Sequence, residues 1–77
     1  MKELPVQPER VTPEWVSACA DVIAEVAEND DESAHSFEDD VYLAIIMGVA
    51  HGACDNPQKC ADAALRIHAM NFARWCA

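Results

Sequence analysis

Residues 41–54, Val-Tyr-Leu-Ala-Ile-Ile-Met-Gly-Val-Ala-His-Gly-Ala-Cys, constrain the fold more than any other stretch of the chain. Thirteen of these fourteen residues are apolar or glycine, and His51 is the only strongly polar side chain. At about 100° per residue, Val41, Tyr42, Leu43, Ile45, Ile46, Met47 and Val49 fan across roughly two-thirds of a helix circumference. The remaining strip holds Ala44, Gly48 and His51. Such a helix is expected at the centre of a fold, with neighbours on several sides. It is too short to span a bilayer, which takes about 20 residues.

The chain has 77 residues, enough for one small domain. A domain of this size buries only about 60% of its unfolded surface, so its core is marginal without a metal, a disulfide or a second copy of the chain. Abundant aliphatic residues and only two glycines favour helices over sheet. The N-terminus, Met1-Lys-Glu-Leu-Pro, lacks the long apolar core of a signal peptide. A soluble, cytoplasmic protein with reduced thiols is expected.

Three helices can be placed from their start signals. Thr12-Pro13-Glu14 supplies an N-cap, a first-turn proline and an acidic residue at the positive dipole end. Helix 1 should run from there to about Glu28 or Asn29. One of its faces carries Trp15, Val16, Cys19, Val22, Ile23, Val26 and Ala27; the opposite face carries Glu14, Ser17, Asp21, Glu25 and Glu28. A polar connection over residues 29–35 should follow. Ser36 before Phe37-Glu38-Asp39 resembles a capping box, which predicts helix 2 from Phe37 to Cys54. Asp55-Asn56-Pro57 stops it, and Asn56 and Pro57 start helix 3, which should continue to near the C-terminus.

On helix 3, Cys60, Ala61, Ala64, Leu65, Ile67, Phe72 and Trp75 share a face with His68 and Asn71, while Lys59, Arg66 and Arg74 lie opposite. Short connections make the fold an all-α, up-down-up antiparallel three-helix bundle over residues 13–77. Residues 1–12, rich in proline, form an extended arm that either lies across exposed core through Leu4, Val6 and Val11 or frays. Two flanking helices can hardly cover helix 2, so the arm or another chain must do so, and a homodimer is one solution. Gly48-x-x-x-Gly52 would permit close backbone approach at a packing face.

The charge distribution excludes whole classes of function. Fourteen acidic residues oppose five basic ones, for a net charge of −9. Residues 11–58 hold eleven of the acidic residues and no Lys or Arg. Neutralising phosphates needs Lys and Arg, so direct binding of nucleic acid or of an anionic membrane is not expected. Glu14, Asp21, Glu25 and Glu28 should continue through Asp30, Asp31 and Glu32 to Glu38, Asp39 and Asp40 as one acidic side. Without interspersed lysines these groups repel one another. They either only solubilise the chain or steer it toward a positive partner surface.

The bundle places Cys19, Cys54 and Cys60 at one end, with His51 one turn from Cys54. That set admits a tetrahedral zinc site, a Cys54–Cys60 disulfide, or inert core thiols. The Cys-x5-Cys spacing is wider than the usual zinc motif. Cys76 falls at the opposite end. No Cys–His pair with an orienting third group is evident, so no catalytic residue is expected. The segment from Asn29 to Asp40 fails as an EF-hand, with Ala34 where glycine and Asp40 where glutamate are required. No cofactor is expected.

These features point to a non-enzymatic interaction protein, an inhibitor or adaptor whose negative face docks on a basic protein surface, including one of the kind that holds nucleic acid. In format alone it is similar to small acidic phage-encoded anti-defence inhibitors, anti-CRISPRs included. No stretch matches a family motif. A second mode of binding uses the uncovered part of helix 2, or Trp75 and Phe72, as an apolar anchor. The alternative class is a zinc-binding or thiol redox module built on Cys19, His51, Cys54 and Cys60.

Overall fold

The computed structural model describes residues 2–74. Three helices, α1 (Pro13–Ala27), α2 (Asp31–Ala50) and α3 (Pro57–His68), each pack against the other two. The all-α three-helix bundle is therefore the architecture.

The start of α1 is the expected one. The Thr12 hydroxyl accepts a hydrogen bond from the Trp15 backbone N–H (3.1 Å), and Pro13 occupies the first turn. Trp15, Val16, Cys19, Ala20 and Ile23 are buried along the inner face of α1.

Helix α2 begins at Asp31, six residues before the expected Phe37. Its cap is Asp30, whose carboxylate accepts from the Ser33 backbone N–H (3.0 Å) and the Ser33 hydroxyl (2.7 Å). Asp31 and Glu32 complement the positive end of the helix. Ser36, the expected cap, lies inside the helix. The supposed loop is thus a polar first turn and a half, anchored by buried Ala34.

The end of α2 also comes earlier than expected, at Ala50 rather than Cys54. Gly52 adopts a left-handed φ of 69°. The Ala53 N–H then reaches the Gly48 carbonyl (2.7 Å) and the Gly52 N–H reaches the Val49 carbonyl (3.2 Å). This is a Schellman closure, for which glycine carries no steric penalty. The two glycines therefore do different things. A β-carbon on Gly48 would sit 3.0 Å from Val11 Cγ2 and 3.3 Å from the Ala53 carbonyl oxygen, so Gly48 admits the arm, whereas Gly52 ends the helix.

The arm is docked. Val11 is buried and makes a parallel bridge with Cys54: its N–H donates to Ala53 O (2.9 Å) and its carbonyl accepts from the Asp55 N–H (2.8 Å). The Trp15 indole N–H donates to Pro5 O (3.2 Å), and Leu4 packs on the core. Val6 points outward, 91% exposed.

The start of α3 is as expected, with the Asn56 side chain accepting from the Lys59 N–H (3.3 Å) and Pro57 in the first turn. Its end is not, because the helix stops at His68 and the chain turns to bring Phe72 into the core. Cys60 and Ile67 are buried, but Leu65, assigned to the inner face, is 61% exposed. Trp75 and Cys76 lie outside the described residues.

The largest departure from expectation concerns which side of α2 packs. It buries Ala34, Glu38, Val41, Ala44 and Gly48, mostly small residues at seven-residue repeats of three and four. Ala44 and Gly48 belong to the strip that the bulky residues leave free, where Gly48 is the expected point of close approach. Close approach of backbones favours small residues; Phe37 and Ile45 pack at the margins of this face, while Leu43, Ile46, Met47 and Val49 are left outside.

Candidate interaction surface

The ten acidic residues expected on one face have three fates. Glu38 is in the core, 3% exposed. Arg74 Nε and Nη2 donate to its two carboxylate oxygens (2.8 and 3.0 Å), and the Tyr42 hydroxyl donates to Oε2 (2.7 Å). Burial alone would raise the Glu38 carboxyl; Arg74 and Tyr42 outweigh it and hold the group below its ordinary value. Burial, then the hydrogen bond to Glu38, pushes Tyr42 upward. Arg74 also donates to the carbonyls of Ile67 (2.9 Å), Met70 (3.0 Å) and Phe72 (3.2 Å), and its guanidinium lies 3.9 Å from the Phe72 ring centroid. Glu38 is therefore not part of any docking face. It is the internal anchor of the segment that follows α3.

Asp21 and Glu25 are exposed but neutralised by cations, Asp21 by Arg66 of α3 and Glu25 by Lys2 of the arm (3.0 Å). The acidic stripe on α1 is therefore interrupted, which corrects the single continuous side read from the sequence. Exposed pairs of this kind contribute about 0–1 kcal/mol each.

The remaining seven stay outward. Glu14 is exposed at the start of α1, in a shallow depression with Asp21 and Lys59. Glu28, Asp30, Asp31 and Glu32 gather at the α1–α2 corner, and Asp39 and Asp40 follow along α2, all exposed. Asp30 is held below its ordinary value by the backbone N–H and then the hydroxyl of Ser33. Asp39 Oδ2 lies 3.7 Å from His35 Nε2.

One side of α2 joins this acidic region to an apolar one. Glu32, Asp39 and Asp40 share a helix face with Leu43, Ile46, Met47 and Ala50. Leu43 is 55% exposed, Ile46 64%, Met47 48% and neighbouring Val49 50%. The face changes from acidic to apolar at Leu43. Between it and the arm runs an open groove lined by Gln7, Glu9, Asp40, Leu43, Met47 and His51. Among the described residues nothing covers this face. The apolar half was legible in outline as the uncovered part of helix 2; its position was not. The signal that marks it is the spacing of Ala34, Val41, Ala44 and Gly48, which identifies the packing side and so leaves the other outward.

Cys19, His51, Cys54 and Cys60, all among the described residues, do not come together as a group of metal ligands. Among the described residues, the only group of three or more candidate ligands whose atoms lie within 4.8 Å of one another is His35, Glu38 and Asp39. Both oxygens of Glu38 are already bonded to the Arg74 cation, which opposes a second cation there. His51 is exposed at the end of α2, while Cys19 is fully buried and its thiol pushed up to about 11 by burial. Cys54 and Cys60 do meet, with their sulfur atoms 3.6 Å apart. His68, which the sequence places on the same face of helix 3 as Cys60 and Ile67, is exposed.

No described helix is long and apolar enough to cross a membrane. No protein-family model, curated protein or solved structure matches the chain.

Proposed function

We propose that this chain is a non-enzymatic interaction protein that docks the outward face of α2 on a protein surface with basic residues beside an apolar depression. The observation that carries this reading is the composite face itself: Glu32, Asp39 and Asp40 followed by Leu43, Ile46 and Met47, none of it covered by the described chain. Large contiguous apolar patches on monomeric proteins commonly mark interaction sites, and negative charge next to one selects a positive partner and raises the on-rate. A partner surface of that kind also suits nucleic-acid phosphates, so the complex would act as an inhibitor that competes for them.

The test is capture by immobilised protein across a salt series, with identification of what is held. The Asp39→Lys/Asp40→Lys variant should lose the partner, and the wild-type complex should weaken as salt rises from about 0.05 to about 0.5 M. Leu43→Ser/Ile46→Ser should lose it as well, whereas Glu14→Lys should not. Capture that ignores both α2 variants contradicts the reading.

The exposed apolar half of α2 also favours a second reading, in which another copy of the chain covers it. The sign of the salt dependence separates the two. Two chains of net charge −9 repel, so self-association should strengthen with salt while docking on a basic partner weakens.

A further inference from the structure

The geometry points to Cys54 and Cys60 as a reversible dithiol–disulfide site, oxidised by small disulfides of the glutathione type. The two thiols are held by separate devices that converge. Cys54 is fixed by the bridge to Val11 just after the Gly52 closure, and Cys60 sits in the first turn of α3 behind the Asn56 cap. The Cys54 thiol donates to Cys60 Sγ (3.6 Å), and the Cys60 thiol donates to Asp55 O (3.3 Å). A disulfide needs about 2.05 Å, so the sulfur atoms must close by about 1.5 Å.

Unequal exposure assigns the order of events. Cys54 is partly exposed, whereas Cys60 is fully buried. The Cys54 thiolate attacks one sulfur of glutathione disulfide; that S–S bond breaks and one glutathione thiolate leaves. Cys60 then gives up its proton and attacks Cys54 Sγ in the mixed disulfide, expelling the second glutathione. Two protein thiols are oxidised and one glutathione disulfide is reduced to two thiols. In the dithiol form burial, followed by the hydrogen bond with Cys54, raises the Cys60 thiol to about 11, which agrees with the more exposed Cys54 as the first to react.

The bond would close a short covalent loop across the junction where the arm, the exit of α2 and the start of α3 meet. Arg10 Nε donates to Asp55 Oδ1 (2.6 Å) within that junction, and Val11 is clasped there on both backbone groups. Oxidation would thus stiffen the Cys54–Cys60 segment, which carries the Asp55 contacts to Arg10 and Val11.

The experiment uses the untagged full chain equilibrated with graded ratios of reduced to oxidised glutathione, acid-quenched, and read by intact mass spectrometry before and after alkylation in denaturant. A transient glutathione adduct should give way to a species about 2 Da lighter with two thiols protected. Digestion on the C-terminal side of Lys59 should leave the two cysteine peptides joined, also in a Cys19→Ala chain. Cys60→Ser should stop at the adduct on Cys54, and Cys54→Ser should show neither, with helical circular dichroism confirming that both variants fold. The proposal is overturned by an adduct that never resolves in wild-type protein, by no reaction at any ratio, or by a bond that involves Cys19 or Cys76.

Discussion

Helices α1 and α2 are both rich in apolar residues, yet they use them in opposite ways. α1 buries its bulky side chains, Trp15, Val16 and Ile23, and turns its acids outward. α2 buries Ala34, Val41, Ala44 and Gly48 and leaves Leu43, Ile46, Met47 and Val49 exposed. In α1 hydrophobicity and packing choose the same face. In α2 close approach chooses a face of mostly small residues, with Phe37 and Ile45 packed at its margins, so Leu43, Ile46, Met47 and Val49 remain available for association.

The largest expected effect is on the α1 side of this contrast. Ile23→Ala removes a fully buried side chain and should cost about 2–5 kcal/mol in urea unfolding. A loss below about 1 kcal/mol would mean that the α1 core is not as closed as it looks.

Next comes the ion pair between α2 and the segment after α3. Glu38→Gln leaves Arg74 without its anion and should cost about 2–3 kcal/mol at neutral pH, less than a fully buried break because the Arg74 side chain is 29% exposed. The Glu38 carboxyl is depressed below its ordinary 4.5 in the folded chain. Its stabilisation is therefore complete above that value and disappears as pH falls through the lower folded one. The stability gap between wild type and Glu38→Gln should accordingly close on acidification, and a gap that persists or widens there would break the assignment.

Gly48→Val probes the small face directly. The added β-carbon meets Val11 at 3.0 Å, and the variant should lose about 1–3 kcal/mol through overpacking. Faster hydrogen exchange at the Val11 and Asp55 amides would show that the arm clasp is what gives way. Ile46→Ala should change stability by no more than about 0.5 kcal/mol, as a surface substitution does.

The bundle itself was legible in the sequence because its helices announce their starts. Thr12-Pro13 and Asn56-Pro57 leave no competing cap nearby, and both starts were placed at the correct residue. The start of α2 was ambiguous because Asp30 and Ser36 each precede a plausible first turn. Only burial of Ala34 decides between them, and burial is a tertiary fact. The end of α2 was readable in principle from Gly52, but Asn56-Pro57 offered a stronger-looking stop.

The acidic face was legible in composition and not in extent. Lys2, Arg66 and Arg74 are distant in sequence from Glu25, Asp21 and Glu38, so nothing local shows that they neutralise these three. The exposed side of α2 was hidden for a different reason. When apolar residues cover two-thirds of a helix, periodicity cannot say which part packs. The contact between Cys54 and Cys60 was visible as a shared end of the bundle, without the backbone clasp that brings the sulfur atoms together.

The most direct test of the central claim, that the bulky face of α2 is not core, is the urea unfolding midpoint of the triple variant Leu43→Ser/Ile46→Ser/Met47→Ser. The account predicts a midpoint near that of the wild type, with the stability change within about 1.5 kcal/mol in sum. A collapse of the midpoint, with a loss of several kcal/mol as in Ile23→Ala, would show that these residues hold the fold together and that the docking face proposed for α2 does not exist.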